Sequence, residues 1–172
     1  SATNVTLSEK GWKTFFRGLG NDGVQGPSVA NYMKNTLGWD KVCVVDDSTD
    51  YGLGLAQAMR ETLGATADSG CNISVKKGDK DFSAAVTQIK GQSPDSVFYS
   101  GYYAEAAPLV QQLRDAGFTG KFASADGTKD PEFVKQAARD FGIVEQAQAR
   151  LQALQPPAIR AHALVRMEFG EK

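Results

Sequence analysis

From residue 41 to residue 128 the chain alternates short apolar segments with amphipathic stretches, and each apolar segment ends in small or acidic residues. The valine-rich run at 41–46 is too continuous for a sheet with one wet face, so it predicts a strand buried on both sides, as in a parallel sheet. Residues 71–75 read as a second strand, alternating more than a central strand should, followed by strands at 96–99 and 121–125. Between them Leu55, Met59 and Leu63, then Phe82, Val86 and Ile89, then Ala106, Val110 and Leu113 recur at helical spacing. Ser48, Thr49 and Asp50 can cap the first of these helices, Gly64 and Gly117 stop two of them, and Asp130-Pro131-Glu132 opens another. Four successive strand and helix units predict an α/β fold, a three-layer Rossmann-like (flavodoxin-like) parallel sheet. Such a sheet delivers its strand ends to one edge, where folds of this kind hold ligands.

The flanks are less regular. Residues 1–26 read as an entry segment, with an expected strand at 13–17 and a polar turn at Asn21-Asp22-Gly23. Gly26-Pro27-Ser28 suits a helix start because proline is tolerated where the amide would be unpaired, with Val29, Met33 and Leu37 on the apolar face and Gly38 as the stop. Beyond Asp140 the character changes. Ile143, Ala147, Leu151 and Leu154 can line a helix, Pro156-Pro157 breaks it, and 159–169 reads as an extended, edge-like segment. The expected organisation is a domain over 1–140 and an atypical tail over 141–172.

Composition narrows the function classes. Over 172 residues, 19 basic and 20 acidic side chains leave a net charge of -1, which supplies no field for a phosphate backbone and argues against nucleic acid as a partner. Lys76, Lys77 and Lys80 are offset by Asp79 and Asp81 and read as a solvated edge. The chain lacks a basic-then-apolar leader, and its opening on Ser1 is that of a processed or joined chain, so the compartment is left open. Cys43 lies in the first strand and Cys71 opens the second; a disulfide between neighbouring strands is conceivable, and two buried free thiols fit at least as well. Two cysteines and one histidine do not make a usual zinc site, so no metal and no cofactor are expected.

The strand exits carry the candidate chemistry. Tyr51-Gly52-Leu53-Gly54 stands at a helix N-terminus, where free amides can receive an anion and Tyr51 adds a hydroxyl; the alternative is that the glycines only permit close packing. Neither a dinucleotide fingerprint nor a P-loop is present. Of Tyr99, Tyr102 and Tyr103, alternation makes Tyr102 the ligand candidate and Tyr99 a core residue. Asp126 can hold an ammonium group, with Gly127 allowing close backbone approach. Asp46 and Asp47 distantly suggest a phosphate-receiving pocket with Lys129, and His162 reads as an edge or core histidine rather than a base. No catalytic set can be assembled, so binding is expected rather than an enzyme.

Gln25-Gly26-Pro27, the block from Lys41 through Asp46-Asp47-Ser48-Thr49-Asp50-Tyr51-Gly52-Leu53-Gly54, the block Gly78-Asp79-Lys80-Asp81-Phe82-Ser83 and the block Asp95-Ser96-Val97-Phe98-Tyr99-Ser100-Gly101-Tyr102 together resemble the leucine/isoleucine/valine-binding protein family of bacterial transport. These are type I periplasmic solute-binding proteins, which close two α/β lobes around a small amino acid and hand it to a membrane transporter of the ABC class. The chain looks like the second lobe alone. The resemblance implies that Tyr51 and Tyr102 line the ligand cleft and that Asp126 meets the ligand's ammonium group, where many members carry Glu. It also implies a periplasmic or extracellular parent, and a missing first lobe whose hydroxyls and amides hold the ligand carboxylate. Binding by the isolated chain is therefore expected to be weak or absent. The tail does not resemble the family's return through the hinge and offers an edge for self-association through 159–169. The competing expectation is an engineered or truncated structural module without a native ligand.

Overall fold

The computed structural model describes residues 2–137 and 165–167. Five strands form one sheet in the order β2-β1-β3-β4-β5, where β1 is Val42–Asp46, β2 Ala67–Ser74, β3 Ser96–Ser100, β4 Lys121–Ser124 and β5 Val165–Met167. The first four are parallel and β5 runs antiparallel to β4, with Phe122 opposite Met167. The sheet is therefore mixed rather than wholly parallel, because the tail returns a strand to its open edge. The expected tail helix and His162 lie outside the described residues.

Helices cover both faces. All five residues of β1 are buried, and their alternation sorts the core into two layers. Val42 and Val44 pack with Phe98, Met33, Leu55, Met59 and Leu63, beneath α1 (Asp22–Asn31) and α2 (Asp50–Leu63). Cys43 and Val45 face the opposite layer of Val86, Ile89, Leu109, Leu113 and Phe133, from α3 (Ser83–Gln92), α4 (Tyr103–Asp115) and α5 (Pro131–Ala137). Thr49 caps α2 by accepting from the Gly52 amide (3.0 Å), and left-handed Gly64 and Gly117 stand at the stops of α2 and α4.

Two elements depart from the sequence expectation. Residues 13–17 form no strand; the entry segment instead makes a 3-10 turn over Val5–Lys10 and is strapped down by Arg17, which donates to the carbonyls of Ala2 (2.9 Å) and Asn4 (2.8 Å). Helix α1 begins at Asp22, not at Gly26, and Pro27 lies inside it. Pro27 is the sixth residue of α1, past the first turn, and supplies no amide to the helical ladder there; α1 then widens into a π-type turn over Tyr32–Thr36, closed by the Leu37 amide on the Tyr32 carbonyl (3.0 Å). Gly26 lies against α2 so closely that a Cβ there would stand 2.7 Å from the Ala58 Cβ.

The thiol question resolves as a disulfide joining Cys43 to Cys71, with Cα atoms 5.0 Å apart. The strand register explains it: Val42 pairs with Ala67 but Val44 pairs with Asn72, so residues 68–71 bulge opposite Cys43 alone. The bridge pins this bulged edge strand to its neighbour β1. It closes a segment with a sequence separation of 28, for which loop entropy gives about 3.5 kcal/mol. Urea unfolding with and without a reductant should show a loss of about 3 to 4 kcal/mol on reduction. Equal stability under both conditions would remove the bridge from this account.

Candidate functional site

The parallel strands place four loops at their shared C-terminal edge, and the predicted residues meet there. Tyr51, in the first turn of α2, follows the exit of β1; Tyr102 follows β3; Asp126 and Gly127 follow β4. The Tyr51 hydroxyl donates to Asp126 Oδ1 at 2.6 Å, and the Gly127 amide donates to the Tyr51 hydroxyl at 3.4 Å. The rings of Tyr51 and Tyr102 stand 5.3 Å apart at 45°. Burial, then the Asp126 carboxylate, push the Tyr51 phenol far above its ordinary value, so it remains a protonated donor.

Two further residues join from α1. Gln25 is buried and donates its amide to the same Asp126 oxygen at 3.1 Å. Asp22 is 1% exposed, and its carboxyl is raised above 3.8, chiefly by burial and further by Asp126; the Thr3 hydroxyl, Arg17 and the N-terminus act in the opposite sense. Reading Asn21-Asp22-Gly23 as a polar turn hid both. The signal that could have found them is a helix start: Asn followed by an acidic residue, with Gln25 three positions on from Asp22 and so on a neighbouring part of one face. Beside Tyr51, the residues Ala2, Asn4, Thr6, Leu7, Lys10 and Asp50 line an open cavity of about 490 Å³.

At the start of α2 two amides already have partners within the chain. The Gly52 amide is taken by Thr49, and the Leu53 amide donates to the Thr49 carbonyl at 2.8 Å. Gly52 is there for close approach: a Cβ would stand 2.8 Å from the Ser100 carbonyl oxygen and would collide with the Asp47 carboxylate. The packing alternative for this glycine is therefore the one that the geometry supports.

Asp46 and Asp47 are structural. Asp46 takes Arg60 at 3.2 Å, the Ser74 hydroxyl at 3.1 Å and the Ser48 amide at 3.1 Å, while Asp47 Oδ1 accepts from the Thr49 amide and hydroxyl. With these ties the pair does not form an open phosphate-receiving pocket. Tyr99 is fully buried as expected, and Tyr102 and Tyr103 are both partly buried, Tyr102 packed against the layer beneath α1 and α2 and Tyr103 against the opposite one. Among the described residues no three His, Cys, Asp or Glu side chains are grouped to hold a metal ion, and no helix is long and apolar enough to cross a membrane.

An α/β lobe with helices on both faces of its sheet is consistent with a single lobe of a type I periplasmic binding protein, and residues 3–163 match the sequence profile of the Periplasmic binding protein family. The chain belongs to this family, whose members are non-catalytic binding proteins, and it is similar to leucine/isoleucine/valine-binding members of it. An amino acid binding protein of Pseudomonas aeruginosa is 35% identical over 151 residues, spanning 82% of this chain and 40% of that protein. A Leu/Ile/Val-binding protein homolog of Brucella melitensis is 35% identical over 134 residues, spanning 77% of this chain and 36% of the relative. The crystal structure of a leucine binding protein from Thermotoga maritima superposes with a TM-score of 0.70 at 30% identity, covering 77% of this chain and 38% of that one. The chain thus spans about two fifths of the length of these proteins.

Two tests address the geometry. Because the folded-state pKa of Asp22 lies above its ordinary 3.8, the ionised carboxylate opposes folding; the penalty is absent below that value and sets in as pH rises through the window above it. Asp22→Asn should therefore melt above the parent at pH 7, with the gap closing as the pH falls toward 3.8. A gap of the same size at every pH would contradict this assignment. At Gly127, a Cβ would press on the Gly101 carbonyl oxygen and stand 3.1 Å from Tyr51 Cε1. Gly127→Ala should cost about 1 to 3 kcal/mol in urea unfolding and shift the Tyr51 resonances; a neutral substitution would mean that the loop is not held this closely.

Proposed function

We propose that this chain is the second, solute-binding lobe of a branched-chain amino acid transport receptor, its domain spanning 1–140. In this reading Asp126 meets the ligand's ammonium group, Tyr51 and Tyr102 form the wall, and Gly127 lets the backbone approach. The carrying observation is the convergence of β1, β3 and β4 exits on one hydrogen-bonded cluster, Tyr51–Asp126–Gln25, with Tyr102 beside it. The relatives, an amino acid binding protein and a Leu/Ile/Val-binding protein homolog, support the same ligand class.

The working partners in the parent are a first lobe that covers this edge and a membrane transporter that receives the solute. Its location is periplasmic or extracellular, with which the Cys43–Cys71 bridge agrees, since such bonds persist in oxidising compartments. Alone, the lobe leaves its half-site open to water, and an unenclosed small polar ligand binds weakly.

Titration of the chain with leucine, isoleucine and valine, followed by calorimetry and by the resonances of Tyr51 and Tyr102, should give a Kd of about 1 mM or weaker. Asp126→Asn should abolish the response. Micromolar affinity would refute the weak-binding expectation, and unperturbed tyrosines in saturating amino acid would favour a structural module without a ligand.

A further inference from the structure

The site has a cation that the family resemblance did not supply. The Lys77 ammonium lies 5.2 Å from the centroid of the Tyr102 ring, on the loop that follows β2. Read along the chain, Lys77 belonged to a solvated edge neutralised by Asp79 and Asp81. In the structure those carboxylates are engaged elsewhere: Asp79 accepts from the Lys76 amide (3.0 Å) and Asp81 from the Ser83 amide (2.9 Å). Among the described residues Lys77 has no carboxylate within ion-pair distance, and it is exposed.

The backbone beneath Lys77 is fixed. Gly78, at φ +94°, donates its amide to Glu105 Oε1 at 2.8 Å, and Glu105 is a buried residue in the first turn of α4. Gln112, also on α4, ties the other end of the loop by donating to the Lys80 carbonyl (2.8 Å) and accepting from the Phe82 amide (2.7 Å). Tyr102 is the residue immediately before α4, at its N-cap. One helix therefore anchors both the ring and the turn that carries the cation over it, which reduces the ordering cost of using this lysine in binding.

The edge consequently has two poles. Asp126 is the negative one, held by Tyr51 and Gln25; Lys77 is the positive one, its ammonium 5.2 Å from the centroid of the Tyr102 ring, which itself stands 5.3 Å from the Tyr51 ring. We propose that Lys77 is a specificity-determining residue that binds a carboxylate of an amino acid whose ammonium group is held at Asp126, giving this lobe a carboxylate contact of its own. The inference rests on the proposed ammonium role of Asp126. The carboxylate has two possible sources on the ligand, the main chain or an acidic side chain. Lysine rather than arginine suits either one as a point charge without a required plane of approach.

The test is a set of titrations of the chain at low and high salt, read from the Tyr51 and Tyr102 resonances, with leucine, leucinamide, glutamate and glutamine as probes. Lys77→Met should weaken binding of the carboxylate-bearing probe about tenfold, Lys77→Arg should restore most of it, and Lys76→Met, one position away, should leave it unchanged. If the main-chain carboxylate is bound, leucine loses its advantage over leucinamide in Lys77→Met; if a side-chain carboxylate is bound, glutamate loses its advantage over glutamine. High salt should imitate Lys77→Met in either case. Amino-acid binding that perturbs both tyrosines but is indifferent to Lys77→Met overturns this inference and leaves the ammonium site standing. Tyrosines that respond to none of the four probes overturn both. Thermal melting of the three variants, expected to match the parent because Lys76 and Lys77 are exposed, checks that folding is not what was changed.

Discussion

Burial of β1 on both faces is the constraint from which the remaining arrangement follows. A five-residue strand with no wet side needs a helical layer above and another below, and these are supplied by α1 and α2 on one face and α3, α4 and α5 on the other. The chain can leave such a strand only at its end, where polar groups must be satisfied as they emerge. Asp46 does so through Arg60, Ser74 and the Ser48 amide, and Asp47 through Thr49, which in turn caps α2. The burial of β1 and the location of Tyr51 are thus linked by one short stretch of backbone.

At that edge the electrostatics are arranged around neutral donors. Asp126 and Asp22 are neighbouring acids, and among the described residues Asp126 is stabilised by a phenol and an amide side chain rather than by an ion-paired cation. An acid held by neutral donors keeps its charge for an incoming positive group, whereas one paired with arginine, as Asp46 is, has already spent that attraction. The difference between Asp46 and Asp126 is one of partners rather than of residue type, and it separates the structural acid from the binding candidate.

Much of the fold was legible because its signals are local and periodic. The valines of β1, the helical spacing of Leu55, Met59 and Leu63, and the alternation that marked 71–75 as peripheral all correspond to the observed burial, and β2 is an edge strand. What was not legible depended on other parts of the chain. The apolar look of 13–17 suggested a strand, but Phe16 is 88% exposed and the segment is held by Arg17 rather than by a ladder. Pro27 suggests a helix start by its sequence context, but the helix already begins at Asp22. That one displacement concealed Asp22 and Gln25, while the meeting of Tyr51, Tyr102, Asp126 and Gly127 at one edge was legible because each lies in or just beyond the connection that follows a strand. The disulfide was undecidable beforehand, since it depends on a bulge that no local pattern announces.

The contact between Gly26 and Ala58 sets how far apart α1 and α2 lie, and Gln25 is the residue next to it. A side chain added at either position would wedge the two helices open and withdraw the Gln25 amide from Asp126 without altering any residue of the cluster itself. Drift at these two small positions is accordingly coupled: descendants that enlarge one must compensate at the other or retune the acid's surroundings. A helix spacing fixed by two of the smallest residues in the chain thereby acts as a ruler for the site's polarity.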